Sequence, residues 1–483
     1  MRGIISAAGY VPYRRLSRSS VAAFLGTGGG KGTRSVASHD EDTTTMGVEA
    51  ARAALRAVPA AAPAAVWLAT TAPAYLDKTN ATAVHAALRL PSEVSALDLG
   101  GALRSGMGAL MTAMTGSGTV LVVLSDQRDG LPGGPDESFG GDGAAAVVVG
   151  DDGPGAPVVA EFLGSASATD EFLDRWRAPG ERRSRTWEER FGETRYLPLG
   201  REAWGRALKN AGVEPAGVTS VVVTGMHGRA TKALASKLGL APGVLADDLT
   251  ATVGQTGAAH PGLVLCAVLE RSHPGEVIAL VHLADGADAV VLRVTDAHAR
   301  LVPHRRVDDQ VAAGAEVPYG RFLSWRQMLT PEPPRRPEPA RVSASAAGRS
   351  EDWKFAFVGS RDHASGAVHL PPARVSMEGG AVDDMDPLPM ADAHGTVVTF
   401  TVDRLAYSPS PPIVFAVVDF DGGGRFPVEL TDVDVDSLAI GDRVEMTFRR
   451  LFTADGIHDY FWKARPVRDP ASTPATGADA PVT

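Results

Sequence analysis

The sequence predicts an α/β layered domain built from two similar halves, followed by a small all-β barrel. Three observations support this. Apolar strands alternate with amphipathic helices over residues 1–300, a Gly/Asp/Ala-rich turn and strand occur twice, and five strand patterns follow one another within residues 351–467. The length of 483 residues is enough for two or three domains of ordinary size.

The α/β domain is indicated by near-continuous Val/Leu runs at 66–71, 119–125 and 220–225. Such runs are typical of strands that are covered on both faces. Helical patterns lie between them at 44–58, 79–88 and 106–114. The acidic start of the first helix, at Asp40 to Asp42, complements the helix dipole and caps its first turn.

The duplication is indicated by residues 141–149, which resemble residues 285–293 in sequence. We predict halves at about 1–160 and 161–300, the alternative being chance similarity in a chain rich in Ala and Gly. The charged and aromatic segment 165–200 belongs to neither repeat. It is either an inserted loop on the substrate side or a solvated surface segment.

Residues 301–350 are predicted to be a connector, because the proline-rich stretch 331–339 can form neither helix nor sheet. The block 351–467 contains five short strands with a glycine-rich hairpin turn at 421–424, and this pattern fits a closed barrel of the OB type. The Ala/Pro/Thr-rich tail, 468–483, is predicted to be disordered.

Composition excludes several classes of function. A net charge of −10 argues against a nucleic-acid partner and against binding to anionic membranes. The single cysteine, Cys266, excludes an intramolecular disulfide framework and a cysteine-cluster metal site. With no targeting segment and no apolar run long enough to span a membrane, we expect a cytoplasmic protein.

Two sets of motifs resemble known families. Residues 41–51, 77–85 and 140–146 resemble the thiolase-fold condensing enzymes, close to hydroxymethylglutaryl-CoA synthases and type III ketoacyl synthases. Residues 357–360, 369–375 and 460–466 resemble the acyl-CoA-associated OB-fold family, which has an N-terminal zinc ribbon and is often fused to or encoded beside thiolases. The resemblance implies a duplicated thiolase-like fold for 1–300 and a degenerate zinc ribbon plus OB fold for 351–467.

The first resemblance implies a cysteine nucleophile at the start of a buried helix, activated by the helix and a nearby histidine. In the matching stretch, 99–110, the position of that cysteine is occupied by Leu103. Leucine has no lone pair, so no acyl-enzyme can form there, and Ser105 is the alternative nucleophile. The glutamate that serves as general base in the synthases falls at Thr71.

The resemblance also assigns the catalytic histidine to His227 and the following amide to Gln255. Together they could polarise a thioester carbonyl, or His227 could be the relic of a lost active site. Cys266 lies in an apolar helical run and is predicted to be a packed core thiol.

The zinc ligands of the second resemblance fall at Asp362, Ser365 and Ser376, so we expect no metal site, although His363 and His369 lie nearby. Four basic residues could meet CoA phosphates or could form ion pairs: Arg104, Arg229, Arg425 and Lys463.

These observations predict a pseudo-condensing protein that lacks the catalytic cysteine and binds acyl-CoA or acyl groups. It would act as the scaffold or OB subunit of an acyltransferase or thiolase complex, with acyl-CoA or an acyl carrier and a separate thiolase subunit as partners. The resemblance also implies a homodimer. The protein requires no cofactor besides the coenzyme A thioester as ligand. The alternatives are a cysteine-independent, hydroxymethylglutaryl-CoA synthase-like acyltransferase that uses His227, and an interaction protein with an empty cavity.

Overall fold

The structure is a computed structural model that describes residues 1–468. The tail predicted from 468 onward lies, except for its first residue, outside the described residues. None of the helices in the described part is long and apolar enough to cross a membrane.

The first 300 residues form one nine-stranded sheet, in the order β11-β12-β13-β8-β1-β7-β6-β4-β5, with small sheets at its margins. The strands of this region are β1 (Arg2–Tyr10), β2 (Arg14–Ser17), β3 (Thr33–Val36), β4 (Ala65–Thr70), β5 (Ser95–Gly100), β6 (Val120–Asp126), β7 (Gly143–Asp151), β8 (Ala160–Ala168), β9 (Arg175–Trp176), β10 (Arg185–Thr186), β11 (Ser220–Gly225), β12 (Val277–Leu283) and β13 (Ala287–Val294).

The sheet confirms the duplication. Outward from the central β1–β8 pair, one half runs β1-β7-β6-β4 and the other runs β8-β13-β12-β11. In both halves the successive pairs are antiparallel, antiparallel and parallel. The two similar sequence segments fall on β7 and β13, which occupy equivalent places in the two halves.

The helices of this region are α1 (Arg18–Leu25), α2 (Thr43–Ala57), α3 (Ala81–Ala87), α4 (Arg104–Thr115), α5 (Pro135–Phe139), α6 (Glu189–Ala211), α7 (Gly228–Lys237) and α8 (His260–Leu269). A capping box starts α2: the Asp42 side chain accepts from the Thr45 backbone N–H, and the Thr45 hydroxyl accepts from the Asp42 N–H. Because every residue of α8 is buried, this helix is apolar all round and forms the centre of the domain.

The proline-rich connector is shorter than the sequence predicted. Three elements lie within the predicted linker and continue the first domain: α9 (Val307–Ala312), β14 (Ala315–Glu316) and α10 (Tyr319–Trp325). β14 pairs with β2, and Tyr319 and Phe322 are buried in a small apolar cluster with Leu16 and Val36. These contacts are between distant parts of the chain, so the local composition of residues 301–330 does not reveal them.

Two short helices, α11 (Ala344–Arg349) and α12 (Glu351–Ala356), lead into the C-terminal domain. A three-stranded sheet follows, formed by β15 (Val358–Asp362), β16 (Val368–His369) and β17 (Met385–Pro389). The next five strands close into a barrel and confirm the OB prediction: β18 (His394–Asp403), β19 (Ile413–Phe420), β20 (Arg425–Leu430), β21 (Arg443–Ala454) and β22 (Ile457–Pro466).

The two domains share one apolar core, which extends from Met46 and Val48 on α2 to Phe448 and Trp462 in the barrel. Beside it lies a buried ion network. Arg449 of β21 contacts Glu41 (2.8 Å), Asp432 (2.8 Å) and Asp40 (3.5 Å). A buried charge that lost these partners would be costly, so the network fixes the barrel in one position on the α/β domain.

Candidate functional site

Leu103 lies where the resemblance places the nucleophile. It follows β5 and directly precedes the first residue of α4, so its backbone is at the positive end of that helix. Its side chain is half-buried. The helix end could stabilise a thiolate, but a hydrocarbon side chain at this place cannot attack a carbonyl carbon.

Ser105 does not replace the missing nucleophile. Its hydroxyl lies within the first turn of α4 and donates a hydrogen bond to the Gly100 carbonyl at 3.3 Å. A nucleophilic serine needs a base that accepts its proton. The partner of this hydroxyl is a backbone oxygen, so the geometry gives Ser105 no activation.

Thr71, at the position of the general base, takes part in a buried polar cluster. Its hydroxyl lies 2.8 Å and 2.9 Å from the two carboxylate oxygens of Asp126 and accepts from Arg128 Nη1 at 2.7 Å. The same carboxylate accepts from the backbone N–H groups of Thr71 and Ala258. Threonine is not a base at neutral pH, and here its hydroxyl is fully engaged in holding two charged side chains together.

His227 caps α7. Its Nδ1 accepts from the Ala230 backbone N–H at 3.0 Å, which leaves the proton on Nε2, and Nε2 donates to the Glu189 carbonyl at 2.9 Å. Both ring nitrogens therefore have backbone partners. In this arrangement His227 has neither a free proton donor nor a free acceptor for a substrate.

Gln255 is also held by backbone groups. Its Nε2 donates to the Gly225 carbonyl at 3.0 Å, and its Oε1 accepts from the Gly257 N–H at 3.1 Å. The structure thus places the Gln255 side chain at the end of β11. The last residue of that strand, Gly225, lies two residues before His227 in the sequence. The pair is close in the fold, but its polar atoms serve to fix the loops around the site.

His282 is a residue at this site that the sequence analysis missed. It lies on β12, beside Thr224 of β11, whose hydroxyl is 2.8 Å from its Nδ1. Its ring also lies close to the backbone of Leu103, and its Nε2 is buried without a hydrogen-bond partner. Burial lowers the pKa of His282 to about 4, so it is neutral at pH 7. A polar residue inside the apolar run 277–283 is the signal that could have revealed it.

The two arginines proposed for CoA phosphates both have protein partners. Arg104 forms two hydrogen bonds of 2.8 Å to the Asp288 carboxylate and a third to the Asp285 carbonyl. Arg229 is about half exposed and pairs with Glu193 at 2.7 Å. The guanidinium of Arg229 is exposed, so it can leave its weak ion pair with Glu193 and bind a phosphate instead. Arg104 is held by its hydrogen bonds to Asp288 on β13.

Cys266 is in the middle of α8 and is fully buried. Burial raises the pKa of its thiol well above the ordinary value, so the thiol stays protonated.

In the barrel, Lys463 is buried between Asp40 and Glu429, and Arg425 forms an exposed pair with Asp419.

Hydrogen bonds connect the residues at the zinc-ribbon positions. The Asp362 carboxylate accepts from the Ser365 hydroxyl at 2.6 Å, and the Ser376 hydroxyl donates to the Glu378 carbonyl at 2.8 Å. His369 Nε2 accepts from the Met377 backbone N–H at 3.0 Å. Among residues 1–468, no group of three or more His, Cys, Asp or Glu side chains is arranged to hold a metal ion. Polar side chains that hydrogen-bond to other protein groups thus occupy the positions of the zinc ligands.

Comparisons with known proteins agree with this architecture. The family model described as "ChsH2, C-terminal OB-fold domain" matches residues 389–449. The hydroxymethylglutaryl-CoA synthase of Methanocella arvoryzae is 29% identical over 61% of this chain and 88% of its own length. That of Pyrococcus furiosus is 27% identical over 67% of this chain and 96% of its own length.

Solved structures show the same fold for the first domain. A structure of HMG-CoA synthase complexed with CoA covers 67% of this chain and 89% of its own length, with a TM-score of 0.56 and 20% identity. The 3-oxoacyl-(acyl carrier protein) synthase III of Pseudomonas aeruginosa covers 62% of this chain and 99% of its own length, with a TM-score of 0.53 and 23% identity.

This chain has a thiolase-like α/β fold joined to an OB-fold barrel. The similarity spans 88% and 96% of the length of these two curated relatives. The barrel is an addition at the C-terminal end, fixed by the ion network around Arg449.

Proposed function

We propose that this protein binds a coenzyme A thioester at the N-terminus of α4 without forming an acyl-enzyme, and that it supports acyl transfer by a separate thiolase subunit. The single observation that carries the proposal is Leu103 at the start of α4. The relatives named as hydroxymethylglutaryl-CoA synthases and the neighbour complexed with CoA support the choice of ligand.

The surroundings of Leu103 support the same conclusion. Thr71 is held by Asp126 and Arg128, His227 by two backbone groups, and His282 is neutral and buried. Each side chain that could have acted as base or nucleophile is occupied or shielded. What is left at this place is a helix N-terminus with backbone N–H groups, which can polarise a bound carbonyl.

The edge of the sheet is the surface we propose for self-association. β5 is the outermost strand at one edge of the nine-stranded sheet, and its Leu97 is half exposed. An exposed strand edge with apolar side chains pairs readily with another chain. A homodimer built through β5 is therefore our expectation, and size-exclusion chromatography with light scattering would measure it.

A second candidate function is cysteine-independent acyl transfer of the hydroxymethylglutaryl-CoA synthase type with His227 as base. Its support is the near-complete coverage of the named relatives. It requires His227 to give up its bond to the Glu189 carbonyl when substrate binds. The His227→Ala variant would then lose turnover while keeping its fold.

The deciding experiment measures binding and turnover on the full chain. We expect acetyl-CoA and acetoacetyl-CoA to raise the melting temperature, because a ligand bound by the native state alone stabilises it by about 2.7 kcal/mol at a hundredfold excess over Kd. We expect no condensation product from the chain alone. Robust condensation that is lost in His227→Ala would establish the second function. No rise in melting temperature would contradict both.

Co-purification from the native cell tests the partner. A thiolase that carries its own cysteine and elutes with this chain supports the proposed complex. A chain that elutes only with itself, while binding acyl-CoA, would contradict the part of the proposal that concerns the thiolase.

A further inference from the structure

Two arginine side chains contact Thr71 and a third lies near them, and we call Arg128, Arg175 and Arg177 the arginine cluster. Arg128 Nη1 donates to the Thr71 hydroxyl at 2.7 Å, and Arg177 Nη2 donates to the Thr71 carbonyl at 2.6 Å. Arg175 lies next to both. Burial lowers the pKa of its guanidinium, and the positive charges of Arg128 and Arg177 lower it further.

Two of the three arginines in the cluster have a carboxylate partner at ion-pair distance. Asp126 lies 3.6 Å from Arg128, and Asp136 lies 2.8 Å from Arg175. Within residues 1–468, no carboxylate lies within 4.0 Å of the Arg177 guanidinium. Arg177 is therefore the member of the arginine cluster that has no carboxylate at ion-pair distance.

The cluster is also short of acceptors. Arg128 is 3% exposed, and its Nε is buried without a hydrogen-bond partner. A buried cationic donor without an acceptor costs free energy, and a carboxylate is the group that a guanidinium fork fits best.

The location of the cluster links it to Leu103. Thr71 directly follows β4, and the carbonyl of Thr70 accepts from the Gly101 N–H at 3.1 Å, two residues before Leu103. Arg177 comes from the segment 165–200, which belongs to neither repeat. Of the two interpretations of that segment, this contact favours the loop on the substrate side.

We propose that the arginine cluster binds a carboxylate at the far end of the acyl group, so that the protein selects CoA thioesters of dicarboxylic acids. The guanidinium of Arg177 has no carboxylate partner of its own, and a single carboxylate matches its fork of donors. This inference rests on the proposed binding of CoA thioesters and adds the acyl class to it.

The test compares matched ligands by isothermal titration calorimetry on the full chain. Succinyl-CoA and glutaryl-CoA are paired with butyryl-CoA and pentanoyl-CoA, in which a methyl group replaces the carboxylate. We expect the charged member of the better-fitting pair to bind about 10- to 100-fold more tightly, as for a charged hydrogen bond. Arg177→Gln should remove this preference and leave the uncharged ligands unchanged.

The control is Arg185→Gln, because Arg185 is exposed on β10 and pairs with Glu181 outside the cluster. Arg177→Gln relieves repulsion among the arginines, so the melting temperature of this variant should not fall. Arg177→Lys should keep part of the preference for the carboxylate-bearing ligands.

Equal binding within both wild-type pairs would overturn the carboxylate site while leaving the proposed function intact. Equal weakening of all four ligands by Arg177→Gln would overturn it in favour of a phosphate contact. Failure of all four to bind the wild type would overturn the proposed function as well.

Discussion

Arg449 is the centre of the ion network between the domains, and its replacement by methionine tests how firmly they are joined. The guanidinium contacts Glu41, Asp432 and Asp40, and all four side chains are at most 2% exposed. Arg449→Met keeps most of the volume but leaves these carboxylates facing one another. Removing one partner of a buried ion pair costs about 3–5 kcal/mol.

Protonation limits this cost. A carboxylate with a pKa of about 4 can take up a proton at pH 7 for about 4 kcal/mol. Burial already raises the pKa of Glu41, so Glu41 is the group that takes up the proton first. Because the protonated form relieves the repulsion, the loss of stability should be smaller at pH 6 than at pH 8.

The assay is equilibrium unfolding in guanidinium chloride at both pH values. Arg425→Met is the control, because the pair of Arg425 with Asp419 is exposed and screened by solvent. A loss for Arg449→Met that equals the control would refute the reasoning. So would a wild type in which the barrel unfolds in a separate, earlier transition.

Three further predictions concern the α/β domain. The thiol of Leu103→Cys should be alkylated by iodoacetamide in the native state, because a helix N-terminus lowers the pKa of a thiol. Peptide mass spectrometry would locate the label, and an unlabelled variant would contradict the placement of Leu103. Cys266 should resist the same reagent until the protein unfolds, and labelling of the native wild type would show that α8 is not buried as described. Because the pKa of buried His282 is lowered to about 4, the unfolded state binds more protons than the native state between pH 4 and 6.5, and stability falls as pH falls through that window. His282→Gln should reduce the slope of stability against pH near pH 5 by about 1.2 kcal/mol per pH unit in urea unfolding, and an unchanged slope would mean that His282 is protonated or exposed.

Much of the fold follows from patterns within the sequence. The five barrel strands and the strands of the α/β domain were predictable because period-two and continuous apolar patterns report burial directly. The helix at 44–58 was predictable for the same reason, and the structure places α2 at Thr43–Ala57. The duplication was predictable because both halves retain the same turn and strand.

The parts that were not predictable depend on contacts between distant residues. Tyr319 and Phe322 make α10 part of the first domain, although the sequence around them is typical of a connector. Asp40 and Glu41 were predicted only as part of the acidic start of a helix, and the structure shows that both are buried. Only the folded chain shows that Arg449, some 400 residues further along the sequence, supplies their counter-charge.

The candidate functional site also has parts that the sequence could predict and parts that it could not. The resemblance placed Leu103 at a helix start, and the structure puts it there. The surrounding groups were beyond prediction: Asp126 and Arg128 enclose Thr71, and His282 lies within an apolar strand. His227 was chosen by its motif, but only its two backbone partners show that its nitrogens are engaged.

The most direct test of the central claim is intact-protein mass spectrometry of the purified wild type after incubation with acetyl-CoA. Because no activated nucleophile lies at the start of α4, we expect an unmodified mass, while Leu103→Cys provides the matched variant that can be acylated. An acetyl adduct on the wild type, mapped by peptide analysis to residues 1–300 and removed by hydroxylamine, would contradict the account.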